Sequence, residues 1–273
     1  MSDLTLLEAF RERRRAAVVA PQGNLALMNT QSISGDTAAA QPIWGVPGLW
    51  APLPTGVSGL RLSATAEDGI RVDGVLVEGT VIVAGLDAVT PSSIRFSDTL
   101  TGTIIAGEGG EYALRVWDAS SDAISDFGTI EAFPYNPDWV VEASFEAIAG
   151  GGEVSIAHLG DEGATRQKAL PGDICFEKDG VEYRLAAFQD GPTLLLVFGD
   201  ATNGVLTYSM GRFLRVAPRS DGTLTLDFNR AYLPPCAFSY NFSCPIPPAR
   251  NRFPDSIEAG ERNVLTKAGD PLH

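Results

Sequence analysis

Residues 227–254 read DFNRAYLPPCAFSYNFSCPIPPARNRFP, and six of these 28 positions are proline. Each proline fixes φ and removes a backbone donor, and each disfavours the helical region for the residue before it. A regular helix or a central strand is therefore excluded over this stretch. The segment is expected to run as an irregular, extended clasp over a core built by the rest of the chain. It serves either as a structural fastening or as one wall of a binding site.

The rest of the chain is patterned for β-structure. Leu4, Leu7, Phe10 and Ala17 recur at helical spacing behind a cap at Ser2 or Asp3, and Pro21 ends that helix. Thereafter the period is two. Short strands are expected at Leu60–Leu62, Ile70–Val72, Val75–Val83, Ile94–Phe96, Thr103–Ile105 and Tyr112–Val116, with turns at Asp73-Gly74 and Gly109-Gly110. Further strands are expected at Val140–Ile148 and Glu153–Leu159 around a Gly150-Gly151-Gly152 turn, then in an Ile174–Leu185 hairpin about Asp179-Gly180. Thr193–Phe198 is apolar on both faces and reads as a central strand. Leu206–Tyr208, Phe213–Val216 and Thr223–Phe228 complete the set. Turn signals every eight to twelve residues point to all-β architecture: two sandwich or barrel-like lobes, one N-terminal helix and the proline-rich clasp. The division expected is helix 1–21, N-terminal β domain 22–125 and C-terminal β domain 126–273, with Phe133–Trp139 as a stiff connector locking two lobes.

Charge limits the partners. The 273 residues carry a formal net charge of −14, with 12 Lys+Arg against 28 Asp+Glu in residues 1–200 and 8 against 6 in residues 201–273. Such an acidic surface repels phosphate backbones and anionic lipids, so neither nucleic acid nor membrane is an expected partner. The positive balance coincides with the clasp. Arginine there can hold a small anion through its planar fork. Leu4–Phe10 runs directly into Arg11, Arg13, Arg14 and Arg15, which does not suit a signal peptide, and the expected compartment is the cytoplasm. Three cysteines, Cys175, Cys236 and Cys244, suit reducing conditions better than a disulfide framework, although a Cys236–Cys244 bridge stays open.

Certain residues closely resemble one bacterial and archaeal family. They are Gly199-Asp200-Ala201-Thr202-Asn203-Gly204, Thr207-Tyr208, Gly211-Arg212-Phe213-Leu214, Asp227-Phe228-Asn229-Arg230-Ala231-Tyr232, Pro234–Phe238, Cys244-Pro245, Pro247-Pro248, Asn251-Arg252 and Ile257–Glu261. The family is catalogued as a domain of unknown function, number 1684 of its series. Phe133-Pro134-Tyr135, Trp139, a Pro171-Gly172-Asp173 hairpin and the helix around Arg11 extend the likeness more thinly. In that family the region before residue 125 is faintly similar to forkhead-associated phosphopeptide readers, whose Gly-Arg and Ser-x-x-His elements are not in usable order here. The resemblance implies no activity.

Chemistry is sought in the same stretch. On a strand, Asp227 and Asn229 share a face and Phe228 points the other way. The candidate ligand-binding set is Tyr208, Arg212, Asp227, Asn229 and Tyr232, with Asp200, Asn203 and Glu261 around it, for a small anionic or polar molecule. The competing structural reading is a buried Arg212–Asp227 pair that clamps two strands and binds nothing. A hydrolase is the enzymatic alternative, using Asp227 with Asp200 or Glu261 as an acid/base couple, or Cys236 with His158. A purely structural or protein-interaction module is the third. Cys236-x7-Cys244 lacks zinc spacing, and the only histidines are His158 and His273. There is no G-x-S-x-G, P-loop or G-x-G-x-x-G element, so no cofactor is expected.

Overall fold

The computed structural model describes residues 3–107, 110–159 and 165–272, and the chain is mostly β-strand. Ser2 as helix cap, Gly109 of the expected turn, and His273 lie outside the described residues. The chain divides into two compact units, residues 16–126 and residues 1–15 with 127–273. The N-terminal helix α1 (Asp3–Val18) has an acidic residue in its first turn and Arg15 in its last, both complementing the helix dipole. Among the described residues no helix is long and apolar enough to cross a membrane.

Residues 16–126 form two antiparallel sheets about one core. Their strands are β1 (Leu27–Ile33), β2 (Gln41–Pro42), β3 (Leu49–Pro52), β4 (Leu60–Ala64), β5 (Arg71–Val72), β6 (Val75–Leu76), β7 (Gly79–Val83), β8 (Ile94–Arg95), β9 (Leu100–Ala106) and β10 (Tyr112–Asp118). One sheet has the order β1-β10-β9-β8-β5-β6 and the other β2-β3-β4-β7. Ile33, Trp50, Leu60, Leu62, Ile70, Ile104 and Leu114 are buried between them. Asp73 (φ 52°) and Gly74 (φ 81°) make the tight β5–β6 turn that an Asp-Gly pair favours. A short helix, α2 (Asp122–Asp126), ends the unit.

The other unit is a nearly closed barrel. After β11 (Phe127–Ala132) come β12 (Val140–Ala157), β13 (Thr165–Lys178), β14 (Val181–Asp190), β15 (Thr193–Phe198), β16 (Arg212–Val216) and β17 (Thr223–Asp227), and β18 (Glu261–Thr266) pairs back onto β11. The barrel order is β16-β15-β14-β13-β12-β17, antiparallel throughout. β15 lies between β14 and β16 as its two apolar faces require. Phe133–Trp139 connects β11 to β12 inside this unit rather than bridging two lobes.

Two local expectations are corrected. The glycines at 150–152 do not turn a hairpin: β12 runs straight through them and pairs with β13 on both sides, Ala147 opposite Gly172 and Gly152 opposite Leu170. Gly150 and Gly151 take positive φ (79° and 75°) to form a bulge. Pro171 sits within β13 opposite that bulge and outside the paired register, so its missing N–H breaks no β12–β13 ladder bond and no hairpin forms at Pro171–Asp173. Leu206–Tyr208 is likewise no strand; it folds back onto the Asp200–Gly204 turn through an Asn203–Thr207 bridge, because its side chains serve that turn rather than a sheet.

The clasp crosses the barrel in an extended path broken by single 3-10 turns at Phe228–Arg230, Pro235–Ala237 and Ala249–Asn251. Phe228 is fully buried and meets Phe198, Phe253 and Trp139 edge-on at ring separations of 5.3, 5.8 and 5.6 Å. Burial of one such ring contributes about 1.5–3 kcal/mol, and each aromatic pair adds about 0.5–1.5 kcal/mol. The clasp is thus a part of the core.

Candidate functional site

Arg212 opens β16, opposite Phe198 at the end of β15, and this register brings the guanidinium to Asp200, two residues beyond Phe198. Both side chains are wholly buried and the Nη2–Oδ2 distance is 2.7 Å. Arg212 also donates to the carbonyls of Ile257 (2.8 Å) and Ala259, which fastens the end of the clasp to the barrel. Its Nε has no acceptor. Burial lowers the Arg212 pKa, with Asp200 opposing that shift. The other Asp200 oxygen accepts from the Thr202 amide (2.8 Å) and hydroxyl (2.5 Å). Asn203 closes the turn: its Oδ1 accepts from the Asp200 amide at 2.7 Å and its Nδ2 donates to Thr207 and to the Tyr208 carbonyl.

Asp227 and Asn229 do come together, through a turn rather than a strand face. Asp227 caps the Phe228–Arg230 turn, accepting at Oδ1 from the Asn229 amide (3.1 Å) and Nδ2 (2.9 Å). Buried Asn229 then pairs with the backbone of Asn136, accepting from its N–H at 2.7 Å and donating to its carbonyl at 2.9 Å. The expected Arg212–Asp227 pair does not form, because Asp200 is closer in the register and Asp227 is held by its own turn.

Glu261 begins β18, almost fully buried, and receives Arg14 of α1 bidentately at 2.9 and 3.0 Å together with the Leu233 amide at 2.8 Å. The Arg14 guanidinium lies 4.8 Å from the centre of the Tyr232 ring and 5.7 Å from that of Phe238. Arg215, on β16, lies 6.0 Å from the same Tyr232 ring and bonds Asp190 through Nε. Burial raises the Tyr232 pKa, and the two guanidiniums oppose it. Tyr208 donates to the Cys236 carbonyl at 3.2 Å, and burial beside Cys236 raises its pKa.

Three clusters therefore replace one pocket: Asp200–Asn203–Arg212 with Tyr208 beside it, Asp227–Asn229, and Glu261–Arg14–Tyr232. The carboxylates expected to work as an acid/base couple are occupied, Asp200 and Glu261 by arginine and Asp227 by its turn. His158 Nδ1 lies 3.3 Å from the Ile156 carbonyl. Among the described residues no group of three or more His, Cys, Asp or Glu is placed to hold a metal ion. An open groove of about 450 Å³ on β12–β14 is lined by Glu146, Cys175, Glu177, Glu182 and Arg184 and contains none of the candidate residues.

Arg14, Arg215, Asn136 and Asn251 carry contacts that the sequence reading did not assign. Asn251, fully buried, accepts from the Ala186 amide (2.8 Å) and donates to the carbonyls of Ala186 and Val197 (2.9 and 2.8 Å). The signal available for it was an asparagine just after Pro247-Pro248, where an amide can finish the hydrogen bonds of a neighbouring sheet. Arg14 had no comparable signal, since its partner lies 247 residues away.

Comparison with known proteins adds a family but no activity. The family model described as "Protein of unknown function (DUF1684)" matches residues 125–262. The solution structure of an uncharacterized protein from Haloarcula marismortui is 34% identical, covering 50% of this chain and 77% of that one, with a TM-score of 0.42. No curated protein matches.

Proposed function

Because this chain belongs to the DUF1684 family, whose description names no activity, its function has to be read from its own side chains, and we propose that the barrel unit binds a small anionic or polar molecule at Arg14, Arg215 and Tyr232. The observation that carries this reading is the Tyr232 hydroxyl. Its ring is half-buried against two guanidiniums, and the hydroxyl has no hydrogen-bond partner among the described residues. Arg14 Nη1 and both terminal nitrogens of Arg215 are likewise without a protein acceptor there. A phenol and the two guanidiniums over its ring are the donors this reading offers to a ligand. Glu261 and Asp190 balance the two positive charges, which favours a singly charged carboxylate or a neutral polar group over a polyphosphate. Of the residues expected from sequence, Tyr232 is in this site, Glu261 orients Arg14 from behind, and Arg212 is too deeply enclosed to take part.

Calorimetric titration with acetate, succinate and inorganic phosphate tests the proposal. Saturable binding of a carboxylate is expected, weakened roughly tenfold by Tyr232→Phe and further by Arg215→Gln, as loss of a hydrogen bond to a charged group requires. Equal affinities in wild type and both variants, or no saturable binding of any of the three anions, overturns it.

A further inference from the structure

We propose that Cys236 and Cys244 are a reversible dithiol–disulfide pair, a redox modification site within the clasp. Neither cysteine is in a disulfide, and both are buried. The Cys236 amide donates to Cys244 Sγ at 3.2 Å. A cysteine's own sulfur is three bonds from its amide nitrogen, and the two side chains are hydrogen-bond neighbours, so χ1 of Cys236 is the torsion through which the sulfurs would join.

The backbone holds Cys244 in place. Its carbonyl accepts from the Leu159 amide at 3.0 Å, and the Ile246 amide donates to the Ala157 carbonyl at 2.8 Å, so Cys244 is clamped to the end of β12. Cys236 is fixed in the 3-10 turn that follows Pro234, with Ala237 and Phe238 donating to the Pro234 and Pro235 carbonyls at 3.0 Å. With the Cys236 amide in hydrogen-bond contact with Cys244 Sγ and both backbones fixed, joining the sulfurs calls for side-chain rotation more than chain movement. The Tyr208 hydroxyl donates to the Cys236 carbonyl and further fixes that backbone.

The surroundings of Cys236 favour its thiolate. A hydrogen bond from Cys244 lowers the Cys236 pKa against its burial, so Cys236 is the attacking thiolate in this proposal. Cys175 on the open groove is shifted the opposite way, burial raising its pKa.

With hydrogen peroxide as oxidant, the Cys236 thiolate forms an S–O bond as the O–O bond breaks, and the departing hydroxide is protonated to water. The Cys244 thiol then attacks the Cys236 sulfenic sulfur, forming the S–S bond; hydroxide leaves and takes the Cys244 proton as a second water. Two thiols and one hydrogen peroxide thus give one disulfide and two waters, with two electrons passed from sulfur to peroxide. Closure would tie the loop that carries Phe238 to the strand end that carries Cys244. The proposal stands whether or not an anion binds near Tyr232.

The test uses the full chain, exposed to hydrogen peroxide under native conditions, then denatured, alkylated and mapped by mass spectrometry. The expected product has lost two hydrogens, carries a Cys236–Cys244 cross-linked peptide and keeps Cys175 alkylatable. The cross-link is expected to form before Cys175 is oxidised, and a thiol reductant restores the starting mass. A Cys244→Ser variant is expected to accumulate a Cys236 sulfenic acid trapped by dimedone. Both thiols remaining alkylatable, a cross-link formed only in denaturant, or oxidation of Cys175 first would each overturn the proposal, and these wild-type readouts do not depend on how the variant folds.

Discussion

Arg212 and Asp200 form a 2.7 Å ion pair with both side chains at 0% exposure, in the same place where the Arg212 guanidinium fastens the carbonyls of Ile257 and Ala259. Removing one partner of such a pair strands a charge in the core. Arg212→Met is expected to lower unfolding free energy by about 3–5 kcal/mol, measured by urea denaturation through Trp139 fluorescence. Arg212→Met combined with Asp200→Leu is expected to recover only part of this, because the two carbonyls still lose their donor. Full recovery would mean that the carbonyl bonds contribute nothing.

Asn229 closes a two-bond ring with the Asn136 backbone. Asn229→Ala leaves a buried amide and carbonyl without partners, at a cost of about 1–3 kcal/mol. Asn229→Asp is expected to cost more, since a second carboxylate then faces Asp227, 2.9 Å from the present Nδ2. The same urea transitions, run side by side, give the ranking.

Gly260 has a φ of 84°, and a Cβ there would meet the carbonyl oxygens of Ala231 and Phe228 at 2.7 Å. Its own carbonyl accepts from the Phe133 amide at 2.9 Å, so the backbone cannot swing away freely. Gly260→Ala is expected to destabilise by about 1–3 kcal/mol from the backbone conformation, with the clash added. A thermal unfolding temperature equal to that of wild type would contradict this.

Alkaline pH acts through Tyr208 and Tyr232. Burial raises both pKa values in the folded protein, so the unfolded chain releases these protons first, near pH 10. The stability they contribute is complete below about pH 10 and is lost as pH rises above it. Tyr232→Phe is expected to flatten this decline. Denaturation midpoints measured at a series of alkaline pH values decide it, and a midpoint independent of pH in wild type would refute the assignment.

The legible parts of the fold were those whose signal is local. Asp73-Gly74 and Asp179-Gly180 were readable because an Asp-Gly pair at positive φ has few other uses, and β15 because an apolar run needs cover on both faces. The bulge at Gly150-Gly151 was misread because a glycine pair at positive φ looks alike in a hairpin and in a bulge; only the partner strand decides, and β13 was not identifiable as continuous through Pro171.

The site divided along the same line. That Asp227 and Asn229 come together was legible from their spacing, although they meet through a turn and not on a strand face. Partner choice was not. Arg212 took Asp200 through a strand register, and Glu261 took an arginine from the first helix, neither of which any window of sequence contains.

That last contact sets a timetable for synthesis. Arg14 leaves the ribosome early, yet Glu261 is translated 247 residues after it. Until then α1 lacks the carboxylate that receives Arg14, β11 lacks its partner β18, and the barrel lacks the carbonyls that complete the shell of Arg212. Such long-range closure is slow and leaves sheet edges open while the chain waits. The clasp therefore acts as the final latch of folding, and a chain released before residue 261 would present an unfinished barrel to the cell's chaperones and proteases.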